Sequence, residues 1–223
     1  MSKLIQKIKY YFWASYRRKF LDKLQKKYSN LYKGKVLDIG GRDRGNFIKP
    51  RENTTEWIFV DIEEKNKPDI LMDVAKMDHI ESNSIDVINA IELFEHVGDI
   101  DNGIRECYRV LKPGGICILS APFLYPIHSD PFDFQRWTEF KWKNVLSNVG
   151  FDLCLFEITG GYFTILGDMV RKFVRSLPAV IRHIFYFFYP FFDVLVKLDN
   201  INLVKNSENL KGYHGGYFII CHK

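Results

Sequence analysis

The sequence predicts an α/β fold built on a mostly parallel sheet whose last strand runs antiparallel. Three observations lead there. Short apolar runs at 36–39, 57–62, 69–74, 85–91, 116–120 and 151–158 alternate with polar connecting segments, the pattern of strands covered on both faces. The first run breaks into Gly40 and Gly41, and glycines there let the backbone turn sharply and come close to a ligand. A last run, 216–222, begins only after a long excursion from Gly160 to Gly215, which suits insertion antiparallel to its neighbours.

Taken in order, residues 3–28 read as one helix, because Ile5, Ile8, Phe12, Tyr16, Phe20 and Leu24 recur at three- and four-residue steps. Lysines and arginines fill the other face, which either is solvated or meets an anionic surface. The stretch between the first two strands is short and holds Pro50, so its helix is short or absent; 63–68 is too short for a helix. Asp99 or Asp101 can cap a helix with Ile104, Cys107, Tyr108 and Leu111 on one face, and Lys-Pro-Gly-Gly (112–115) stops it. Thr138 can cap a further helix that Gly150 ends. Within the excursion, Ile165, Met169, Val170, Phe173 and Val174 suggest an amphipathic helix that Pro178 breaks. The aromatic run 184–192 follows. It packs on the chain's own core, on a second copy in a homodimer, or on lipid. The division expected is a basic helical arm (1–34), a core (35–160 and 213–223) and a helical, aromatic-rich insertion (161–212).

Composition narrows the classes. The chain has 223 residues, 47% hydrophobic and 26% charged, enough for a full core. Net charge is +5, yet residues 1–35 hold eleven lysines and arginines against one acid, so the body is acidic. The four cysteines, Cys107, Cys117, Cys154 and Cys221, stand singly with no metal-ligand spacing. They read as reduced core thiols of a cytoplasmic protein, and no metal is expected. No secretory leader is visible, and the nine-residue run 184–192 falls short of the roughly 20 residues of a membrane span.

Acids stand at the carboxyl ends of successive predicted strands: Asp38, Asp61, Asp73, and Glu92 with Glu95. In an open parallel sheet that edge is the ligand crevice. With this set on the page, the chain resembles the class I S-adenosylmethionine-dependent methyltransferases, over about residues 35–160 and the final strand. The residues that carry the resemblance are Val-Leu-Asp-Ile-Gly-Gly (36–41), Val-Asp-Ile (60–62), Met-Asp-Val (72–74), Ser-Ile-Asp-Val-Ile (84–88), Glu-Leu-Phe-Glu-His-Val (92–97) and Tyr-Arg-Val-Leu-Lys-Pro-Gly-Gly (108–115). The segment 122–138 is similar to a subgroup associated with glycan and surface-polysaccharide biosynthesis. The resemblance implies a Rossmann-like seven-stranded sheet, S-adenosyl-L-methionine as cofactor, and methyl transfer.

It also implies roles. Asp61, with Ile62 beside it, would accept from the ribose hydroxyls. Asp73 and the Val74 backbone would face the adenine. The Gly40–Gly41 backbone would pass the methionine part, Asp38 would order that loop, and the Ile91 backbone would meet the amino group. Arg42 stands where the family's loop has glycine; it either contacts the cofactor carboxylate or points to solvent. His128 is the favoured base or acceptor-orienting group and His96 the second, with Asp130, Asp133 and Arg136 shaping the acceptor pocket. Structural roles remain open for both histidines and for the Asp133–Arg136 pair.

The acceptor expected is a small molecule or glycan, methylated on oxygen. Specific nucleic-acid binding is not expected, because Ala-Pro-Phe-Leu (121–124) replaces the Asn/Asp-Pro-Pro-aromatic signature of adenine methylation and no Pro-Cys pair is present. The basic helix and 184–192 suggest a peripheral contact at the inner membrane face. The interrupted glycine pattern and short loops also leave open a degenerate fold kept as a non-catalytic binding or scaffold module.

Overall fold

A computed structural model describes residues 3–42, 45–128 and 131–223. Its strands are β1 (Gly34–Ile39), β2 (Thr54–Asp61), β3 (Ile70–Leu71), β4 (Ile85–Ile91), β5 (Leu111–Pro122), β6 (Asp152–Ile158) and β7 (Gly216–His222). They form one seven-stranded sheet in the order β3-β2-β1-β4-β5-β7-β6. Neighbours from β3 to β5 pair parallel, and β7 runs antiparallel between β5 and β6. This is the predicted sheet. The chain crosses over between β1 and β4, so a crevice opens beyond their carboxyl ends.

Apolar side chains leave both faces of the central strands. On one face Leu37, Ile88 and Leu119 pack with α3 (Ile100–Val110) and α4 (Glu139–Val149), through Ile104, Cys107, Trp142 and Leu146. On the other, Val36, Val87, Ile118 and Phe218 pack against Leu21 and Tyr32. Both covering helices start on the expected caps: Asp99 accepts from the Asn102 N–H at 3.1 Å, and Thr138 from the Lys141 N–H at 3.4 Å. Gly150 ends α4 at φ 112°, a backbone that side chains other than glycine's rarely adopt.

Four expectations need correction. The arm is two helices, α1 (Lys3–Trp13) and α2 (Tyr16–Lys27). The Ser15 hydroxyl caps α2 by accepting from the Arg18 N–H at 3.0 Å. Asp168 accepts from the Tyr16 and Arg17 N–H groups at 2.5 and 2.9 Å, placing a carboxylate at the positive end of the helix dipole. The strand expected over 69–74 contracts to Ile70–Leu71 at the sheet edge, so Asp73 lies in the turn beyond it. Lys-Pro-Gly-Gly does not only end α3; it belongs to β5, which begins at Leu111. Cys154 and Cys221 are joined as a disulfide between the adjacent strands β6 and β7, leaving Cys107 and Cys117 as free buried thiols. Antiparallel pairing brings together two cysteines 67 residues apart.

The excursion forms α5 (Tyr162–Ser176), α6 (Ala179–Tyr186), α7 (Tyr189–Lys197) and α8 (Asn202–Lys205). Helix α5 starts on Gly161 and has no cap of its own. Asp199, between α7 and α8, supplies it, accepting from the N–H groups of Gly161, Phe163 and Thr164 and from the Thr164 hydroxyl at 2.7–3.1 Å.

Candidate active site

The β1 turn is built around Asp38. This acid is fully buried, and its oxygens accept from Trp57 Nε1 at 2.8 Å, Asn89 Nδ2 at 2.6 Å and Lys49 Nζ at 2.7 Å. Burial pushes its pKa up while Lys49 and the other donors pull it down. A Cβ on Gly41 would stand 1.9 Å from Asp38 Oδ1, so only glycine fits there. Lys49 also donates to the Gly41 carbonyl and clamps the turn. Asp38 thus sits at the centre of the turn's contacts.

Beyond this turn lies a cleft of about 300 Å³ lined by Gly40, Arg42, Asp61, Ile62, Asp73, Val74, Glu92 and His96, with Phe132 and Phe134 over it. Asp61 is largely buried at the end of β2. One oxygen accepts from the Glu63 N–H and the other from Asn66 Nδ2, both at 2.9 Å. A carboxylate has about four acceptor sites, so capacity for a diol remains. Asp73 accepts from the Ala75 N–H at 2.9 Å and is exposed to the cleft. Arg42 lines the cleft, its Nε 4.0 Å from Asp61 Oδ2. Gly41 and Ile91 line a small recess that adjoins the cleft and shares Gly40, Arg42 and Glu92 with it.

The end of β4 is tied to the arm. Glu92 takes a left-handed backbone, φ 54°, uncommon for a residue with a side chain. Ser120 Oγ donates to it at 2.8 Å, and the buried Arg17 guanidinium pairs with it. Arg17 also lies over the Tyr125 ring at 4.6 Å and donates to the Gly215 carbonyl at 3.1 Å. One cation of the basic arm thus holds the cleft's wall instead of facing solvent.

The loops after β4 and β5 are stitched together. The Phe134 N–H donates to the Glu95 carbonyl at 2.8 Å, and Gln135 Nε2 to the Val97 carbonyl at 2.9 Å. His96 and His128 thereby meet, with ring centres 5.1 Å apart and planes at 82°. Burial lowers the His128 pKa. Burial, then the Glu92 charge, pushes the Glu95 carboxyl up to about 8.

Asp133 and Arg136 line neither cavity and pair with each other, Arg136 Nη2 standing 2.6 Å from Asp133 Oδ2. That oxygen also accepts from the His128 N–H at 2.9 Å, and the Arg136 hydrogen bonds hold Asp133 down at about 2. Asp130 lies outside the described residues. The sequence marks Glu95 only as a strand-end acid, through the Glu-Leu-Phe-Glu-His spacing, and gives no signal for Arg17 or Tyr125.

A second cavity, about 670 Å³, holds none of the strand-end acids. Phe123, Tyr125, Tyr162, Ile165 and Met169 make it apolar, and Lys172 and Arg175 stand in its wall. Edge-to-face ring contacts link its wall to that of the cleft: Tyr125 to His128 at 5.3 Å, then His128 to His96, which lines the cleft.

Residues 54–119 match the family described as "Methyltransferase domain". A Mycolicibacterium smegmatis protein described as a "probable S-adenosylmethionine-dependent methyltransferase" is 31% identical over 91 residues, a match taking in 36% of this chain and 32% of that protein. The chain thus spans about a third of the length of that curated relative. A methyltransferase structure from Archaeoglobus fulgidus covers 92% of this chain and 94% of its own at 19% identity and a TM-score of 0.59. Haemonchus contortus phosphoethanolamine N-methyltransferase 2, solved with S-adenosyl-L-methionine, covers 92% of this chain and 52% of its own at 17% identity and a TM-score of 0.54. At these identities the structures speak to architecture alone. The chain has the fold of the class I S-adenosylmethionine-dependent methyltransferases.

Proposed function

We propose that this chain is an S-adenosylmethionine-dependent methyltransferase that methylates a hydroxyl of a saccharide or lipid-linked glycan intermediate. The observation that carries the reading is the cleft in which Gly40, Asp61 and Asp73 converge at the β1–β4 crossover. The residues fit the cofactor: Asp61 keeps acceptor capacity for a ribose diol, Asp73 faces the cleft beside the Val74 backbone, and Gly40 lines the cleft where the methionine part would pass. When bound, the cofactor supplies an electrophilic methyl carbon on a sulfonium, which an acceptor oxygen takes as the carbon–sulfur bond breaks. The chain's task is alignment and a dry site. Phe132 and Phe134 line the cleft, as does His96, whose ring meets that of His128 beside it, and this pair is where the acceptor would give up its proton. Asp133 and Arg136 position His128.

The larger cavity supports an amphipathic acceptor. Its walls suit an apolar chain, while Lys172, 4.9 Å from the Tyr125 ring centre, and Arg175 suit an anionic linkage such as a diphosphate. Phe173 of α5, Ile184 of α6, Phe187 and Phe188 in the turn after α6, and Phe191 of α7 are exposed, which supports a peripheral membrane contact. No single helix among the described residues is long and apolar enough to cross a membrane; α6 and the segment Tyr189–Asn200, bent by 48°, reach that length and composition only as a pair.

The test is transfer of labelled methyl from S-adenosylmethionine into fractionated cell material. Label in an alkali-stable ether of the glycan or lipid-linked fraction is the expected result. Label confined to protein, nucleic acid or small amines would remove the acceptor assignment.

A further inference from the structure

The loops after β4 and β5 bring together the donor set of a metal centre. One ligand atom from each of Glu95, His96 and His128 lies within 4.8 Å of the other two. Glu95 is 2% exposed, and neither carboxylate oxygen has a hydrogen-bond partner among the described residues. A buried carboxyl in that state is costly, so it points to something the cluster takes up. His96 Nε2 is buried without a partner too, and at 3.7 Å from Glu95 Oε1 it is beyond hydrogen-bond length.

The backbone presets both rings. His96 Nδ1 lies 2.5 Å from the Phe132 carbonyl, and His128 Nδ1 lies 3.3 Å from the Pro126 carbonyl. A carbonyl can only accept, so each Nδ1 carries the proton and each Nε2 keeps its lone pair. The cations nearby are committed elsewhere, Arg17 to Glu92 and Arg136 to Asp133.

We propose that Glu95, His96 and His128 bind one divalent first-row transition-metal ion, through the carboxylate and the two Nε2 atoms, with its remaining positions open to the cleft. Two imidazoles and one carboxylate suit zinc, iron or cobalt better than magnesium or calcium. The part of the proposal that concerns catalysis rests on the methyl-transfer reading above. There the ion holds the acceptor's hydroxyl oxygen and lowers its pKa. The O–H proton passes to solvent, the oxygen–carbon bond forms and the carbon–sulfur bond breaks. The histidines then act as ligands and not as bases.

The full chain, stripped with chelator, is titrated with Co²⁺ and followed by visible absorption, with Zn²⁺ calorimetry alongside. One equivalent is expected to bind, at least about tenfold more weakly in His128→Ala and Glu95→Gln. S-adenosylhomocysteine binding by the same variants reports whether the cleft is intact. No Co²⁺ binding at millimolar metal, or binding unchanged in both variants whose cleft is intact, overturns the metal site and leaves the cofactor reading standing. Co²⁺ binding that depends on these residues in a chain that never binds S-adenosylhomocysteine supports the metal site and removes its catalytic role.

Discussion

Asp38 and Asp61 sit at equivalent strand ends, yet their surroundings give them opposite tasks. The oxygens of Asp38 are taken by Lys49, Trp57 and Asn89, and it shapes the turn from below. Replacing Lys49 by Met leaves a buried carboxylate without its cation. The expected loss is about 3–5 kcal/mol, read from the urea midpoint, and a loss under about 1 kcal/mol would contradict this role. Asp61 faces the cleft with acceptor capacity in hand. Asp61→Ala is expected to weaken S-adenosylhomocysteine by about 1.5–3 kcal/mol, the worth of a charged hydrogen-bond acceptor, with little change in the urea midpoint. The sequence shows an acid at each strand end and cannot separate these tasks, because the partners of Asp38 come from three other segments.

Elements were legible where the chain's own neighbours determine them. Strands buried on both faces announce themselves as short apolar runs, and α3 and α4 carry their caps in local sequence. The break between α1 and α2 was hidden because the helical periodicity runs through it, while the acid at the start of α2, Asp168, arrives from α5. Helix α5 in turn depends on Asp199. Asp199→Ala should cost about 1–2 kcal/mol and speed amide exchange in residues 162–176 without touching α3. Unchanged exchange there would refute the capping account. The disulfide is of the same kind, legible only once β6 and β7 are neighbours. Unfolded without reductant, the chain should titrate two thiols, and four after reduction; four at the outset would contradict the pairing.

At the scale of the molecule, the arm and the insertion close over one edge of a sheet whose other parts are ordinary core. Arg17 joins α2 to the ends of β4 and β5, and Asp168 joins α5 to α2. The larger cavity exists only in that assembly, and the meeting of His96 with His128 only where the loops after β4 and β5 are stitched together. This explains why residues after β1, β2 and β3 were readable one by one, whereas the meeting of Glu95, His96 and His128 was not. Exposed Phe187, Phe188 and Phe191, with the basic arm, predict co-sedimentation with anionic vesicles at low salt, weakened as salt rises. Retention entirely in the supernatant would remove the peripheral contact. The measurement that reaches the centre of the account is calorimetric titration of the full chain with S-adenosylhomocysteine. The account predicts saturable one-to-one binding that Asp61→Ala weakens by the amount given above. No binding at millimolar ligand would contradict it and leave the fold as a scaffold without its cofactor.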